Sequence, residues 1–288
     1  MDLFLEALVN GASLGMAYAL AAIGLTIIWG VMEIINFAHG DYLMLAMYIS
    51  FFSFSLLGIH PLFSIPITFG VLAVLGALTY LTIIKGVLKS NVLLSQIVVT
   101  FGISIFLQNG TLFVFSPNFR AIANIPWLTG SISIGGIFLP KTLFIVALVS
   151  LITCLALFYF IHRTTTGKTI LAMAMDREMV QLVGVNADRV ELIAFSLGIA
   201  TLGIAGSCLM MVTYVSPRVG FLYGLIAFTA VALGGFGSIP GTIIAGVIIG
   251  VTEIFTALYI GPEYKYVAIF VVYLLILIWR PKKGLLGW

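Results

Sequence analysis

Long apolar runs, separated by short segments rich in turn-forming and polar residues, recur along the whole chain. Nine of them are candidates for membrane-crossing helices, with boundaries defined to within several residues: 8–29, 42–57, 62–84, 92–115, 142–161, 190–213, 222–233, 242–260 and 266–279. A bilayer core needs roughly 20 apolar residues per helical crossing. The second and seventh runs are short and lie beside loops containing Gly and Pro, which leaves room for broken or re-entrant helices. The pattern predicts an all-α, polytopic transmembrane bundle of about eight or nine spans.

Composition supports this prediction and excludes several kinds of protein. Hydrophobic residues make up 62% of the 288 residues, and Asp, Glu, Lys and Arg together only 8%. A soluble domain carries about 25% charged residues, so most of the outer surface must face lipid. No polar segment is long enough for a separate soluble catalytic domain, and a net charge of +3 does not describe a nucleic-acid-binding patch. We therefore expect a single transmembrane domain over residues 1–288.

The positions of Lys and Arg set the predicted orientation. If the C-terminus is cytoplasmic and the nine runs alternate in direction, nine of the 13 basic residues lie inside, which satisfies the positive-inside rule and leaves the N-terminus outside. Residues 116–141 then form an external loop, and residues 163–189, where charge is densest, form a cytoplasmic one. The nine inner basic residues are Lys85, Lys89, Arg163, Lys168, Arg177, Arg189, Arg280, Lys282 and Lys283.

Polar residues cluster at the boundary between the first two runs. Asn36, His39, Gly40 and Asp41 lie there, preceded by Glu33. Ionisable groups at a membrane boundary usually have a partner or line a water-filled cavity. Two interpretations remain open: a turn in which Asp41 caps the next helix, or part of a polar pathway or its gate.

Other polar or flexible positions fall within or between later runs. Residues 234–241 (GGFGSIPG) include Gly234, Gly235 and Gly237 and cannot continue a helix; they form either a re-entrant kink or a tight turn. Glu253 in the eighth run and Gln96 in the fourth either line a pathway or join neighbouring helices. Residues 11–15 somewhat resemble residues 198–206, which leaves an internal repeat open.

The inner loop contains the signals of a short, separately capped helix. Asp176 can cap a helix over residues 177–183, Gly184 suits the left-handed position that ends it, and Asn186 can cap the following span. Such a helix either rests on lipid headgroups or docks into a groove of a cytoplasmic protein. Its candidate contact residues are Arg177, Glu178, Met179 and Leu182.

One segment imitates a nucleotide-binding loop. Residues 167–169 (GKT) match the end of a phosphate-binding P-loop, but that motif needs a Gly at the position that His162 occupies. Without that turn, backbone amides cannot surround a phosphate. We therefore expect that this chain binds no ATP, and that any ATP driving it is bound by another subunit.

Three of these segments resemble one protein family. Residues 24–30 (GLTIIWG) and 34–41 (IINFAHGD) are similar to the N-terminal signature of the inner-membrane permeases of ATP-binding-cassette importers for branched-chain amino acids. Residues 176–186 (DREMVQLVGVN) resemble that family's coupling segment, and residues 234–241 match in kind and in position. The chain is therefore identified as a member of this family, most similar to the shorter of the two permeases that pair in such systems.

The resemblance implies an assembly in a bacterial or archaeal inner (plasma) membrane. It contains a second permease, two cytoplasmic ATPase subunits and a periplasmic or lipid-anchored solute-binding protein, all serving a small-molecule substrate. ATP and Mg would bind only to the ATPases, so we expect this chain to be no enzyme and to need no cofactor, metal or catalytic residue. We also expect no nucleic-acid partner. The surface that faces no other subunit would contact membrane lipid.

The resemblance also assigns residues. Importer permeases carry a Glu-Ala-Ala-x-x-x-Gly pattern where they touch the ATPase; Glu178 and Gly184 keep this spacing, while Met179 and Val180 replace the alanines. The expected coupling residues are Asp176, Arg177, Glu178, Met179, Leu182 and Gly184. The candidate pathway or gate residues are Glu33, Asn36, His39, Gly40, Asp41, Gln96, Gly234, Gly235, Gly237 and Glu253.

The resulting prediction is a permease subunit that forms the pathway for branched-chain amino acids. Relatives of the family also move urea, short amides and other small organic solutes, so a related importer is an alternative. A less favoured alternative is a secondary transporter coupled to an ion gradient, which would need acidic groups near the membrane midplane.

Overall fold

The chain is built almost entirely from helices. The computed structural model describes residues 2–88, 92–134 and 136–279. Before the cytoplasmic-loop region, the helices are α1 (Asp2–Met32), α2 (His39–Leu57), α3 (Pro61–Thr79), a π-helical turn (Tyr80–Ile84), α4 (Lys85–Leu88), α5 (Leu93–Phe115) and α6 (Lys141–Arg163), with strands β1 (Ser131–Ile134) and β2 (Ile137–Pro140) between the last two. They are followed by α7 (Thr165–Met175), α8 (Arg177–Leu182), α9 (Ala187–Met210), α10 (Val219–Gly234), α11 (Ile239–Tyr259), a 3-10 turn (Pro262–Tyr264) and α12 (Lys265–Trp279).

Each of the nine apolar runs coincides with a helix, but fewer helices have the full length of a crossing. Within the described ranges, seven helices are long and apolar enough to span a membrane. Helix α10 has 16 residues, or about 24 Å at 1.5 Å per residue, which is shorter than a bilayer core of about 30 Å. The described part of α12 has 15 residues. The membrane bundle is thus confirmed, whereas the number of spans stays a prediction.

The orientation also stays a prediction. Four of the basic residues on which it depends, Lys89, Arg280, Lys282 and Lys283, lie outside the residues that the structure describes.

Close packing of small residues holds the centre of the bundle together. Helix α1 packs along α11, where a Cβ added at Gly11 or Gly15 would lie 2.6 Å from the backbone of the facing helix. Thr26 and Thr242 share a hydrogen bond of 2.8 Å across the same contact. Helices in lipid gain little from hydrophobic burial against one another, so backbone approach at small residues supplies the packing energy.

Two groups of three helices take equivalent places in the bundle. Helix α3 packs against α9 in the same way as α11 packs against α1. Helix α1 crosses α9 where Gly24 meets Gly198. Helix α2 crosses α10 where Gly40 meets Gly220. In each crossing the two backbones meet so closely that neither Gly leaves room for a Cβ. The contacts among α1, α2 and α3 and those among α9, α10 and α11 thus follow one pattern, which is the pattern expected for an inverted repeat. The weakly similar segments 11–15 and 198–206 lie on α1 and α9, the equivalent pair.

The segment predicted as an external loop is ordered. Strands β1 and β2 form an antiparallel hairpin, and the backbone of Arg120 bridges to Val215. The Arg120 guanidinium donates to the Phe115 carbonyl (2.8 Å) and lies over the ring of Phe52. His60 stacks on Trp127 at 5.6 Å between ring centroids. These contacts give the described residues of the predicted loop a defined structure, and the side of the membrane on which they lie stays a prediction.

Candidate functional site

The predicted cytoplasmic loop, residues 163–189, contains a helix that the sequence analysis missed. Thr164 accepts a hydrogen bond from the Gly167 amide (3.0 Å) and so begins α7 directly after α6. A Cβ at Gly167 would lie 2.5 Å from the Ile161 backbone, so only glycine fits this corner. Residues 167–169 are therefore part of a helix. Their amides are not arranged as a phosphate-binding loop.

Helix α8 has the caps that the sequence predicts. The Asp176 carboxylate accepts a hydrogen bond from the Met179 amide (3.0 Å), and Gly184 ends the helix with φ at +86°. Asn186 in turn accepts from the Arg189 amide (3.2 Å) and begins α9. Val180 is buried against the bundle, whereas Leu182 is 81% exposed, and Glu178 and Met179 are exposed as well.

Helix α8 is not isolated from the membrane spans, contrary to the sequence interpretation. The Arg177 guanidinium forms an ion pair of 2.7 Å with Glu191, the fifth residue of α9. The other oxygen of Glu191 accepts a hydrogen bond from the Tyr80 hydroxyl (2.8 Å), in the π-helical turn after α3. Glu191 is 2% exposed. These three residues fix α8 to two long helices.

Glu191 was missed although its sequence position gave a signal. It lies one residue inside an apolar run, where a carboxylate needs a partner. Its partner could not be deduced because Arg189 is much closer in sequence than Arg177, and only the turn at Gly184 brings Arg177 back to it. Lys85 and Asp188 form a second ion pair of 2.9 Å nearby.

The segment between α1 and α2 corrects the capping interpretation of Asp41. Helix α2 begins at His39, and its cap position, Ala38, makes no side-chain hydrogen bond. Asn36 accepts a hydrogen bond from the Ala38 amide (3.2 Å) and so stabilises the turn that precedes the helix. Asp41 lies inside the first turn, and its carboxylate accepts no hydrogen bond from a backbone amide of the helix end. Glu33 is exposed, in the left-handed region with φ at +52°.

The Asp41 carboxylate is buried without a counter-charge. The residue has no exposed surface, and neither oxygen has a hydrogen-bond partner among the described residues. It lies against Gly220 of α10, and the side chains of Ser104 and Gln108 on α5 face it. An unpaired buried carboxylate is energetically costly, and within a membrane such a group is a candidate functional residue.

Helix α5 presents a polar face to this region. Its buried residues share one side of the helix and all carry polar side chains: Gln96, Thr100, Ser104 and Thr111. The Thr100 hydroxyl donates to the Ile35 carbonyl (2.9 Å), which places this face beside the segment that holds Asn36 and Asp41. The Gln96 carbonyl oxygen and the Asn36 amide nitrogen have no partner within the described part of the chain. His39 is turned away, with its ring nitrogen at 3.0 Å from the Ala21 carbonyl on α1.

The glycine-rich segment forms a tight turn and not a re-entrant kink. Helix α10 ends at Gly234 and α11 begins at Ile239; Gly235 and Gly237 have φ of +96° and +80°. Ser238 caps α11 by accepting from the Gly241 amide (3.2 Å). Gly237 and Glu33 line a cavity of about 620 Å³ beside α7. Glu33 and Gly237 therefore lie at one cavity, which Asp41 does not line.

Glu253 lies about 21 Å further along α11, 14 residues after its start at 1.5 Å per residue. It is buried and has two partners: the Tyr18 hydroxyl donates to one oxygen (2.7 Å) and the Lys265 ammonium to the other (2.7 Å). The group borders a second cavity, of about 420 Å³, lined by residues of α1, α6, α10, α11 and α12.

Comparisons with known proteins identify the family to which the chain is similar. The family described as branched-chain amino acid transport system / permease component matches residues 7–278. The high-affinity branched-chain amino acid transport system permease protein BraD of Pseudomonas aeruginosa is 34% identical over 99% of this chain and 96% of its own length. The corresponding protein LivH of Salmonella typhimurium is 35% identical over the same shares. A probable branched-chain amino acid transport permease protein of Methanocaldococcus jannaschii is 27% identical over 85% of this chain and 78% of its own length. No solved structure gives a significant match.

Proposed function

The chain belongs to the family of branched-chain amino acid transport permeases, and we propose that it forms part of the membrane pathway of an ATP-driven importer for branched-chain amino acids. It is a transport component and makes or breaks no covalent bond. The proposed assembly adds a second, longer permease, two ATPase subunits and an external solute-binding protein. The N-terminus faces outward, and α7 and α8 face the cytoplasm.

The observation that carries this proposal is the construction of α8. A six-residue helix is too short to be stable alone, yet both of its ends are capped and Arg177 ties it to the buried Glu191. It therefore keeps its shape while exposing Glu178, Met179 and Leu182. A rigid exposed helix with apolar side chains suits a groove on the ATPase, where the apolar pair supplies buried anchors.

The proposed pathway runs between α2 and the polar face of α5. The buried, polar face of α5 points towards Asn36 and Asp41, and the buried carboxylate of Asp41 offers a negative charge to an ammonium group passing it. Movement of α8 with the ATPases would alter access to this interface from one side of the membrane and then the other.

Site-directed cross-linking tests the assignment of α8. With Leu182→Cys in the complete importer, we expect a thiol cross-linker to join this permease to the ATPase, with cross-linking that changes between ATP-bound and ATP-free states. Trp127→Cys is a matched control, because Trp127 is 77% exposed and lies in the segment predicted to face outward. Cross-linking to the ATPase from position 127 but not from 182 would reverse the orientation and refute the proposal.

Uptake into proteoliposomes that contain the complete importer tests the substrate. We expect ATP-dependent uptake of leucine, isoleucine and valine, and no uptake of urea or acetamide. Uptake of urea or acetamide without uptake of leucine would assign the chain to a related importer. Uptake that follows an ion gradient and ignores ATP would indicate a secondary transporter.

A further inference from the structure

The cavity beside Glu253 is lined by both charged and apolar groups. Its polar lining includes Tyr18, Glu253 and Lys265, and its apolar lining includes Leu14, Leu143 and Ile254. Its volume of about 420 Å³ falls in the range typical of small-molecule sites, roughly 300–1,000 Å³. Pro140 and Thr142 also line it, so it lies at the end of the bundle that carries the β-hairpin. That end is the one predicted to face outward, where an importer receives its substrate.

The two side chains of the ion pair at this cavity are buried to different extents. The Glu253 side chain is 5% exposed, whereas that of Lys265 is 29% exposed and reaches the carboxylate from the first residue of α12. Lysine carries its charge on a flexible four-carbon stem with three donors. Its ammonium can therefore move to a new partner, while Glu253 stays fixed by the Tyr18 hydroxyl.

From this arrangement we infer that Glu253 and Lys265 form a binding site for the charged backbone of an α-amino acid. The substrate ammonium takes the place of Lys265 at the Glu253 carboxylate, and Lys265 moves to the substrate carboxylate. Each charge then keeps a partner of opposite sign, so no charge is left unpaired beside the buried Glu253. The apolar lining then receives an aliphatic side chain, which matches a branched-chain substrate. This inference rests on the proposed function and adds a site within one permease subunit.

The competing explanation is that the pair only joins α11 to α12. The two explanations differ in what happens when both charges are removed. If the pair is purely structural, Lys265→Met leaves Glu253 without a cation, and adding Glu253→Gln relieves that cost and restores the protein. If the pair binds substrate, the double variant assembles well but transports poorly, because neither substrate charge has a partner.

The experiment uses the complete importer in proteoliposomes with radiolabelled leucine. We expect the Glu253→Gln/Lys265→Met double variant to assemble and to hydrolyse ATP, but to lose leucine uptake by about tenfold or more, as for removal of charge-assisted hydrogen bonds. Lys141→Met and Glu263→Gln are matched controls, because both remove a charge at residues that do not line this cavity; they should transport as the wild type does.

Saturation-transfer NMR on the same complex, without the solute-binding protein, gives a direct measure of binding. We expect a signal from leucine with the wild type and the controls, a weaker one from leucinol, which lacks the carboxylate, and none with the double variant. Leucine uptake by the double variant within about twofold of wild type would overturn the site alone. Absence of uptake of any branched-chain amino acid by the wild type would overturn both the proposed function and the site.

Discussion

Replacing Gly184 by Val tests whether α8 transmits movement from the ATPase. Gly184 has φ at +86°, and no atom in the described part of the chain lies within 4 Å of a Cβ added there. The cost of the substitution is therefore local backbone strain and not a clash. A β-branched residue at positive φ costs about 1–3 kcal/mol, and about 1.4 kcal/mol changes an equilibrium tenfold. Since the Asp176 cap contributes only about 1 kcal/mol, this strain is enough to displace the end of α8.

We expect Gly184→Val to insert into the membrane normally but to lose copurification with the ATPase and substrate-stimulated ATP hydrolysis by about tenfold. Asn tolerates the left-handed conformation, so Gly184→Asn should keep most of both activities. Gly70→Val is the control for the substitution itself, since Gly70 is exposed on α3 and has neither a positive φ nor a close neighbour among the described residues. If Gly184→Val copurifies at wild-type stoichiometry and couples hydrolysis to uptake, α8 is not the coupling element.

Three further predictions concern the other residues of the mechanism. Asp41→Asn should assemble normally and reduce leucine uptake by about tenfold; an unchanged uptake rate would show that the charge of Asp41 has no part in transport. Arg177→Met leaves Glu191 buried without its cation and should lower the free energy of unfolding by about 2 kcal/mol. Breaking a fully buried ion pair costs roughly 3–5 kcal/mol, and the expected loss is smaller here because Arg177 is half exposed. Chemical denaturation checks this value, and adding Glu191→Gln should restore part of the loss. The purified permease without its partners should show no saturable ATP binding in equilibrium dialysis, because residues 167–169 lie within α7.

The features that could be predicted from the sequence are those determined by adjacent residues. Asp176, Gly184 and Asn186 act on backbone groups three or four positions away, so their residue types alone specified the limits of α8 and the start of α9. The apolar runs likewise specified the long helices, because each helix satisfies its own backbone in lipid.

The features that could not be predicted depend on contacts between distant parts of the chain. Arg177 and Glu191 meet only because α8 turns back on α9. Asp41 was a reasonable capping residue by type, but α2 begins two residues earlier and places its carboxylate between α5 and α10. The start of α7 at Thr165 was missed because the segment is polar enough to resemble a loop.

Helix α9 connects the proposed coupling surface with the proposed pathway. Glu191 at its start holds Arg177 of α8, Gly198 meets the backbone of α1, and Gly206 meets α2 at Leu43, two residues after Asp41. In its central stretch 72% of the residues are buried, against 17% in α5. Backbone contacts as close as those at Gly198 and Gly206 leave no space for one helix to slide independently of the other. We therefore expect a displacement of α8 to carry α9 and α2 together while the less buried α5 stays in place, and we predict that access changes at the polar interface between α2 and α5.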